Sequence, residues 1–184
     1  MILDIVKYGN PVLRAKGKKI GKVDDEIRVL AADLLETMYN ASGVGLAAQQ
    51  IGRALQVTVV DISDAENRPS RMWIGGEEVD PKEHMPMILI DPELELGDEQ
   101  ELGNEGCLSF PEISAEISRA VKVKVKAQDL DGHPIEFEAA GLLGRAIQHE
   151  TDHLNGILFI DRMSSATKAS LAGKLKRLAA ESKP

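Results

Sequence analysis

The run His149-Glu150-Thr151-Asp152-His153 constrains this chain more than any other stretch, because it lies inside an apolar stripe. Leu142, Leu143, Ala146, Ile147 and Leu154 recur at helical spacing from Gly141, and Asn155-Gly156 offers a left-handed stop. A helix with such a stripe is a buried one, yet it carries two histidines and a glutamate. Imidazoles at i and i+4 leave one face of an α-helix about one turn apart, so both can reach a single metal ion. The glutamate between them is offset toward the ion's open side. That geometry suits hydrolysis of a carbonyl compound.

At 184 residues the chain is long enough for one well-buried core and too short for two comfortable ones, so a single domain over 1–184 is expected. Aromatic residues make up only 3%, which leaves Leu, Ile, Val and Met to fill that core. A net charge of -8 argues against nonspecific DNA binding as the main task. No stretch approaches the apolar length of a membrane span, and Met1-Ile2-Leu3-Asp4 lacks a basic, signal-like start. The expected location is the cytoplasm.

Ile27, Leu30, Ala31, Leu34, Leu35 and Met38 follow Asp24-Asp25 at helical spacing and predict a helix over about 24 to 41. The small residues of Gly43 to Gly52 allow backbone to come close to another group. Strands are expected at 57–62 and 87–91. Between them, 63–86 carries Pro69, Gly75-Gly76, Pro81 and Pro86, and reads as a long surface excursion with one short strand near 72–74. The acids of 93–105 read as a solvated loop or edge. Lysines at 122, 124 and 126 alternate with valines, and Asp131-Gly132 turns into a second alternating run, so 121–138 predicts a hairpin with one wet face. A final helix over about 167–180 sets Leu171, Leu175 and Leu178 against Lys168, Lys174, Lys176 and Arg177.

A catalytic metal site takes three protein ligands and leaves a position for water, so the two helix histidines need a partner from elsewhere. The single cysteine, Cys107, cannot form an internal disulfide and lies in the turn-prone Glu105-Gly106-Cys107-Leu108-Ser109. A soft thiolate complements two imidazoles on a d-block ion, which makes Cys107 the best candidate. No histidine follows His153, and Glu181 is the only later glutamate. His84 and His133 are spare candidates, each placed where a surface histidine is expected.

Three segments, Gly43-Val44-Gly45-Leu46-Ala47-Ala48-Gln49-Gln50, Glu105-Gly106-Cys107-Leu108-Ser109 and Gln148-His149-Glu150-Thr151-Asp152-His153, together resemble the three motifs of the peptide deformylases, in the same order. The similarity runs from Tyr8-Gly9-Asn10-Pro11 to the terminal helix; 63–86 is the main part it leaves unplaced. The resemblance implies an α+β fold, with antiparallel β-sheets packed around a central helix that bears the motif and with helices near both ends of the chain. It implies an ion held by Cys107, His149 and His153, whose bound hydroxide attacks a formyl carbon with Glu150 as general base and acid. The Leu108 N–H and Gln50 would hold the developing oxyanion.

The implied substrates are N-formylmethionyl peptides and nascent chains. Val44, Leu142, Ala146 and the His149 ring would line an apolar slot for methionine, and Gly43 to Gly45 would offer main-chain groups to the peptide. Two departures stand out: Arg145 occupies an expected apolar position, and 110–114 lacks an arginine that the family often has. The resemblance further implies ferrous iron in the cell, with zinc, nickel or cobalt able to substitute. From the basic residues of the final helix and from the family's behaviour, docking on ribosomal RNA is expected; no membrane or specific DNA partner is. Two other classes compete on the residues alone. One is a zinc peptidase, whose usual downstream third ligand is missing here. The other is a noncatalytic copper-type protein with two histidines and a cysteine, which has no need for Glu150.

Overall fold

Asp24 starts the first helix as the sequence predicts. In the computed structural model, which describes residues 1–182, its carboxylate accepts the Ile27 N–H and helix α1 runs over Asp25–Asn40. The buried stripe of Ile27, Leu30, Leu34 and Met38 packs on two short strands, β1 (Gly45–Ala47) and β2 (Val57–Val60). Then follow β3 (Ser70–Ile74), β4 (Glu77–Val79), β5 (Met87–Leu96), β6 (Gln100–Cys107), β7 (Phe110–Ala120), β8 (Lys122–Gln128), β9 (Pro134–Ala140), and the helices α2 (Gly141–Leu154) and α3 (Ser165–Glu181).

Seven strands form one antiparallel sheet in the order β1-β2-β5-β8-β9-β3-β4, while β6 and β7 pair only with each other. Alternation along the strands divides the core. Val57, Val59 and Ile90 face α1, whereas Val60, Leu89, Val123, Val125, Phe137 and Ala139 join Leu142, Leu143, Ala146 and Ile147 of α2. Leu143 and Ile147 are completely buried, each worth about 1.5–3 kcal/mol of transfer free energy. The β6–β7 hairpin covers the other side of α2: the Gln148 carboxamide donates to the Ala120 carbonyl and accepts its N–H, at 3.0 and 3.1 Å. Only Gly141 and Asp152 of α2 escape full burial. The fold is α+β, with antiparallel sheets on both sides of a central helix.

The structure refines the expectations at four places. In 63–86 the short strand expected near 72–74 is present as β3, but it does not stand alone: β3 pairs with β9 and β4 with β3, extending the main sheet by two strands. These short, Gly-linked strands carry too few alternating residues to show a period. The acids of 93–105 are exposed except Glu105, as expected of a solvated edge, but they sit on strands more than in a loop: β5 continues to Leu96, and β6, which pairs only with β7, begins at Gln100. Strand β7 has no counterpart in the sequence reading; its buried positions alternate well enough, but they include Ala115 and Arg119 and so read as weakly apolar. The left-handed stop after α2 falls on Gly156 (φ +74°) rather than Asn155 (φ -107°).

Candidate active site

The helix and the hairpin meet at three donors. His149 and His153 lie one turn apart on α2, their ring centroids 5.0 Å apart, and Cys107 ends β6 just before a tight turn. Ligand atoms of Cys107, His149 and His153 all fall within 4.8 Å of one another, with Sγ 3.3 Å from His153 Nε2. Metal bonds of 2.0–2.3 Å at tetrahedral angles require donor separations of roughly 3.3–3.6 Å; the Cys107–His153 pair has that spacing, and one thiolate converging with two imidazoles is a donor set that fits a d-block ion. His84 and His133 stay apart: the first lies in a turn before β5, the second at the β8–β9 turn with Asp129 and Asp131.

Glu105 organises the cluster from below. It is 5% exposed and accepts His149 Nδ1 at 2.9 Å, leaving Nε2 of that ring for the ion. It also accepts two bonds from Arg119 and one from Arg145, all at 2.8–2.9 Å. Burial works against its charge, but these donors win and hold its carboxyl far below the usual carboxylate range. Arg119 passes the chain of charges on to Asp152, which Arg162 also grips. His149 is likewise opposed by burial, yet its bonds to Cys107 and Glu105 raise its basicity well above that of a free imidazole. Burial, and then the neighbouring His149, push the basicity of His153 well below that of a free imidazole.

Glu150 faces different surroundings. Burial pushes its carboxyl up to about 7, and its Oε1 is buried without a hydrogen-bond partner among the described residues. Oε2 lies against Gly45, where a Cβ would stand only 2.6 Å away. A carboxyl poised near neutrality and left free can take and return a proton. The Gln50 carboxamide is 2% exposed; its oxygen accepts the Ala47 N–H at 3.0 Å, while Nε2 donates to Ser109 Oγ at 3.1 Å and lies 3.7 Å from Cys107 Sγ.

These groups line a cleft of about 640 Å³, together with Gly43, Val44, Gly45, Leu108, Leu142, Arg145 and Ala146. Its walls are β1, the β6–β7 turn and the first turns of α2. A larger recess, about 1010 Å³, opens behind α2 near Lys16, Asp91 and Thr151, but it touches none of the three donors and not Glu150. The smaller cleft is the one with chemistry.

The pattern of the whole chain agrees with that site. A sequence profile for the family described as polypeptide deformylase matches residues 2–169. The chain belongs to the peptide deformylase family. Peptide deformylase of Methylacidiphilum infernorum is 48% identical over 178 residues, which cover 97% of this chain and 93% of the relative. Among solved structures, peptide deformylase 1B of Arabidopsis thaliana in complex with an inhibitor superposes with a TM-score of 0.82 at 35% identity, covering 96% of this chain and 90% of that one. The peptide deformylase of Thermotoga maritima gives 0.76 at 39% identity, covering 89% and 99%. Peptide deformylases are metal-dependent hydrolases that remove N-formyl groups from nascent peptides, so this chain is a hydrolase. No helix among the described residues is long and apolar enough to cross a membrane.

All the residues nominated from the deformylase motifs come to this one place, His153 lying just behind the cleft wall at 1% exposure. What sequence reasoning missed is the carboxylate under them. Glu105 stood among acids read as solvated, and only two misplaced cations, Arg119 and Arg145 at buried positions, signalled that a buried anion had to exist.

Proposed function

We propose that this chain hydrolyses the N-formyl group of N-terminal formyl-methionine on newly made polypeptides, acting as one catalytic domain over 1–184 in the cytoplasm. The observation that carries this is a free, buried Glu150 carboxyl pushed up to about 7 beside three converging metal donors. Cys107, His149 and His153 would hold a divalent ion, ferrous iron in the cell with zinc, nickel or cobalt as substitutes. When bound, that ion supplies Lewis acidity, polarising a carbonyl and making water acidic enough to lose a proton near neutral pH.

The remaining steps belong to the chain. Glu150 takes a proton from water as its oxygen bonds to the formyl carbon, then gives one to the amine nitrogen as the C–N bond breaks. Formate and a free amino terminus result. Gln50 Nε2 and the Leu108 N–H stabilise the oxyanion, each donor worth about 2.7–4 kcal/mol where such groups act in other enzymes. Val44, Leu142 and Ala146 receive the methionine side chain. β1 is an edge strand of the main sheet and Gly43 to Gly45 line the cleft, so main chain there can pair with an extended peptide. A formyl carbon bears only hydrogen beyond its oxygen and nitrogen, and a tight site excludes acetyl by steric clash. Lys168, Lys174, Lys176 and Arg177 are exposed on α3, whose Leu175 is buried against the body, and they supply positive charge for docking on ribosomal RNA.

Anaerobic purification with metal analysis, followed by formate release from formyl-Met-Ala-Ser and acetyl-Met-Ala-Ser, tests the reaction and the ion together. Rapid release from the formyl peptide alone is expected. Equal turnover of both peptides, or none by a fully metallated protein, would overturn the proposal. Reversing the four α3 charges should abolish ribosome cosedimentation.

A further inference from the structure

Arg145 is 6% exposed in the apolar stripe of α2, one turn before His149, and the chemistry above leaves it without a task. Its Nη1 donates to Glu105 Oε2 and to the Ile117 carbonyl, both at 2.8 Å, and its Nη2 donates to the Glu101 carbonyl at 3.0 Å. Those acceptors span both strands of the hairpin, Glu101 and Glu105 on β6 and Ile117 on β7. Gly103, also on β6, makes room for the guanidinium: a Cβ there would stand 2.7 Å from its Cζ and Nε. The fork is thus keyed to the hairpin by shape as well as by charge.

The three metal donors come from two separate bodies, the histidines from α2 and Cys107 from the end of β6. Their spacing depends on what ties helix to hairpin. Gln148 and the Arg119–Asp152 pair fasten α2 to the far end of β7. Apart from His149 and His153 themselves, Arg145 is the α2 side chain that hydrogen-bonds β6 among the described residues, and its two terminal nitrogens reach three acceptors across the hairpin, which a lysine's single point charge cannot reproduce. Because Glu105 also orients His149, one guanidinium steadies a ligand from each body.

We propose that Arg145 is a positioning residue for the metal centre: it locks the cysteine-bearing hairpin onto the histidine-bearing helix through Glu105 and the Glu101 and Ile117 carbonyls. Its methylene stem, in the cleft wall with Leu142 and Ala146, serves as the apolar lining expected at that position. This rests on Cys107, His149 and His153 being the ligands.

The test compares Arg145→Met, Arg145→Lys and Gly103→Ala with the parent protein. Cobalt affinity is measured by chelator competition, cobalt absorption bands report coordination geometry, and melting of the metal-free proteins reports the fold. All three variants should hold cobalt about 10- to 100-fold more weakly, the range typical for loss of a partner that orients a metal ligand, with shifted bands. Arg145→Met should keep KM for formyl-Met-Ala-Ser within about twofold, because its apolar stem replaces the wall, while kcat falls. Gly103→Ala displaces the guanidinium without removing charge, so it keeps the test alive if Arg145→Met folds poorly. Lower melting temperatures with unchanged cobalt affinity and bands would mean a merely structural role and would overturn the proposal alone. Undiminished cobalt affinity in Cys107→Ala would overturn the ligand reading, and the proposal with it.

Discussion

Gly45→Ala tests the role proposed for Glu150 without touching Cys107, His149 or His153. The new Cβ would sit 2.6 Å from Glu150 Oε2 and 2.9 Å from both Cδ and Cγ. Gly45 lies in a paired strand with no positive φ, so alanine brings no backbone strain and the clash must be relieved by movement. The carboxylate end of a glutamate is ordinarily compliant, but Glu150 is 5% exposed within a packed helix. Restoring an ordinary contact of 3.4 Å requires Oε2 to move by about 0.8 Å, and misplacements near 1 Å can cost about 10²-fold in rate. That is about 2.7 kcal/mol of transition-state stabilisation. A formate-release assay coupled to formate oxidation should show kcat down by about two orders of magnitude, with metal content unchanged because Cys107, His149 and His153 are not displaced. Should Gly45→Ala turn over within about threefold of the parent at full metal occupancy, the placement of Glu150 as proton carrier against β1 is wrong.

Glu150→Gln should bind metal normally and release almost no formate, since the amide keeps the shape and loses the proton; metal analysis beside single-turnover assays checks both halves. Phe159, 1% exposed and edge-on to Phe110 at 4.9 Å, backs the His149 ring at 5.8 Å. Phe159→Ala should cost about 3–5 kcal/mol in urea unfolding with an unchanged m-value, and a cost below about 1 kcal/mol would contradict its place in the core. Asp161 has a lowered pKa: burial opposes its charge, but Arg14 and the Leu158 N–H prevail. A depressed folded pKa gives stability that is present above the unfolded value near 3.9 and is lost as pH falls through the folded value. Asp161→Asn should therefore destabilise by about 0.5–1 kcal/mol at pH 7, discounted because both partners are partly exposed, and by less near pH 3. An equal difference at both pH values would refute the ion pair's contribution.

Much of the fold could be read without coordinates wherever one side of an element meets water. Asp24 announced α1, lysines alternating with valines announced β8, and the leucines of α3 marked its inner face. Strands β4 and β7 were not legible in the same way. The first is too short to show a period, and the second buries Ala115 and Arg119 where large apolar residues would have revealed it.

The site divides along a similar line. His149, Glu150 and His153 declare themselves by spacing, because i and i+4 share a helix face whatever surrounds the helix. Cys107 follows from ligand chemistry, as the thiolate that a two-histidine site lacks. Burial of the helix's polar side was a different matter. A helix covered all round has its second face decided by whatever packs on it, and hydropathy cannot distinguish a charge facing water from a charge facing a buried counterion. Glu105 could therefore pass for a surface acid and Arg145 for a misfit in an apolar stripe, until the hairpin closed over α2 and set each opposite the other at 2.8 Å. Which side chains can grip a metal is written in local spacing and ligand chemistry; what holds them in register exists only in the closed fold, because it depends on charges brought together from 40 residues apart.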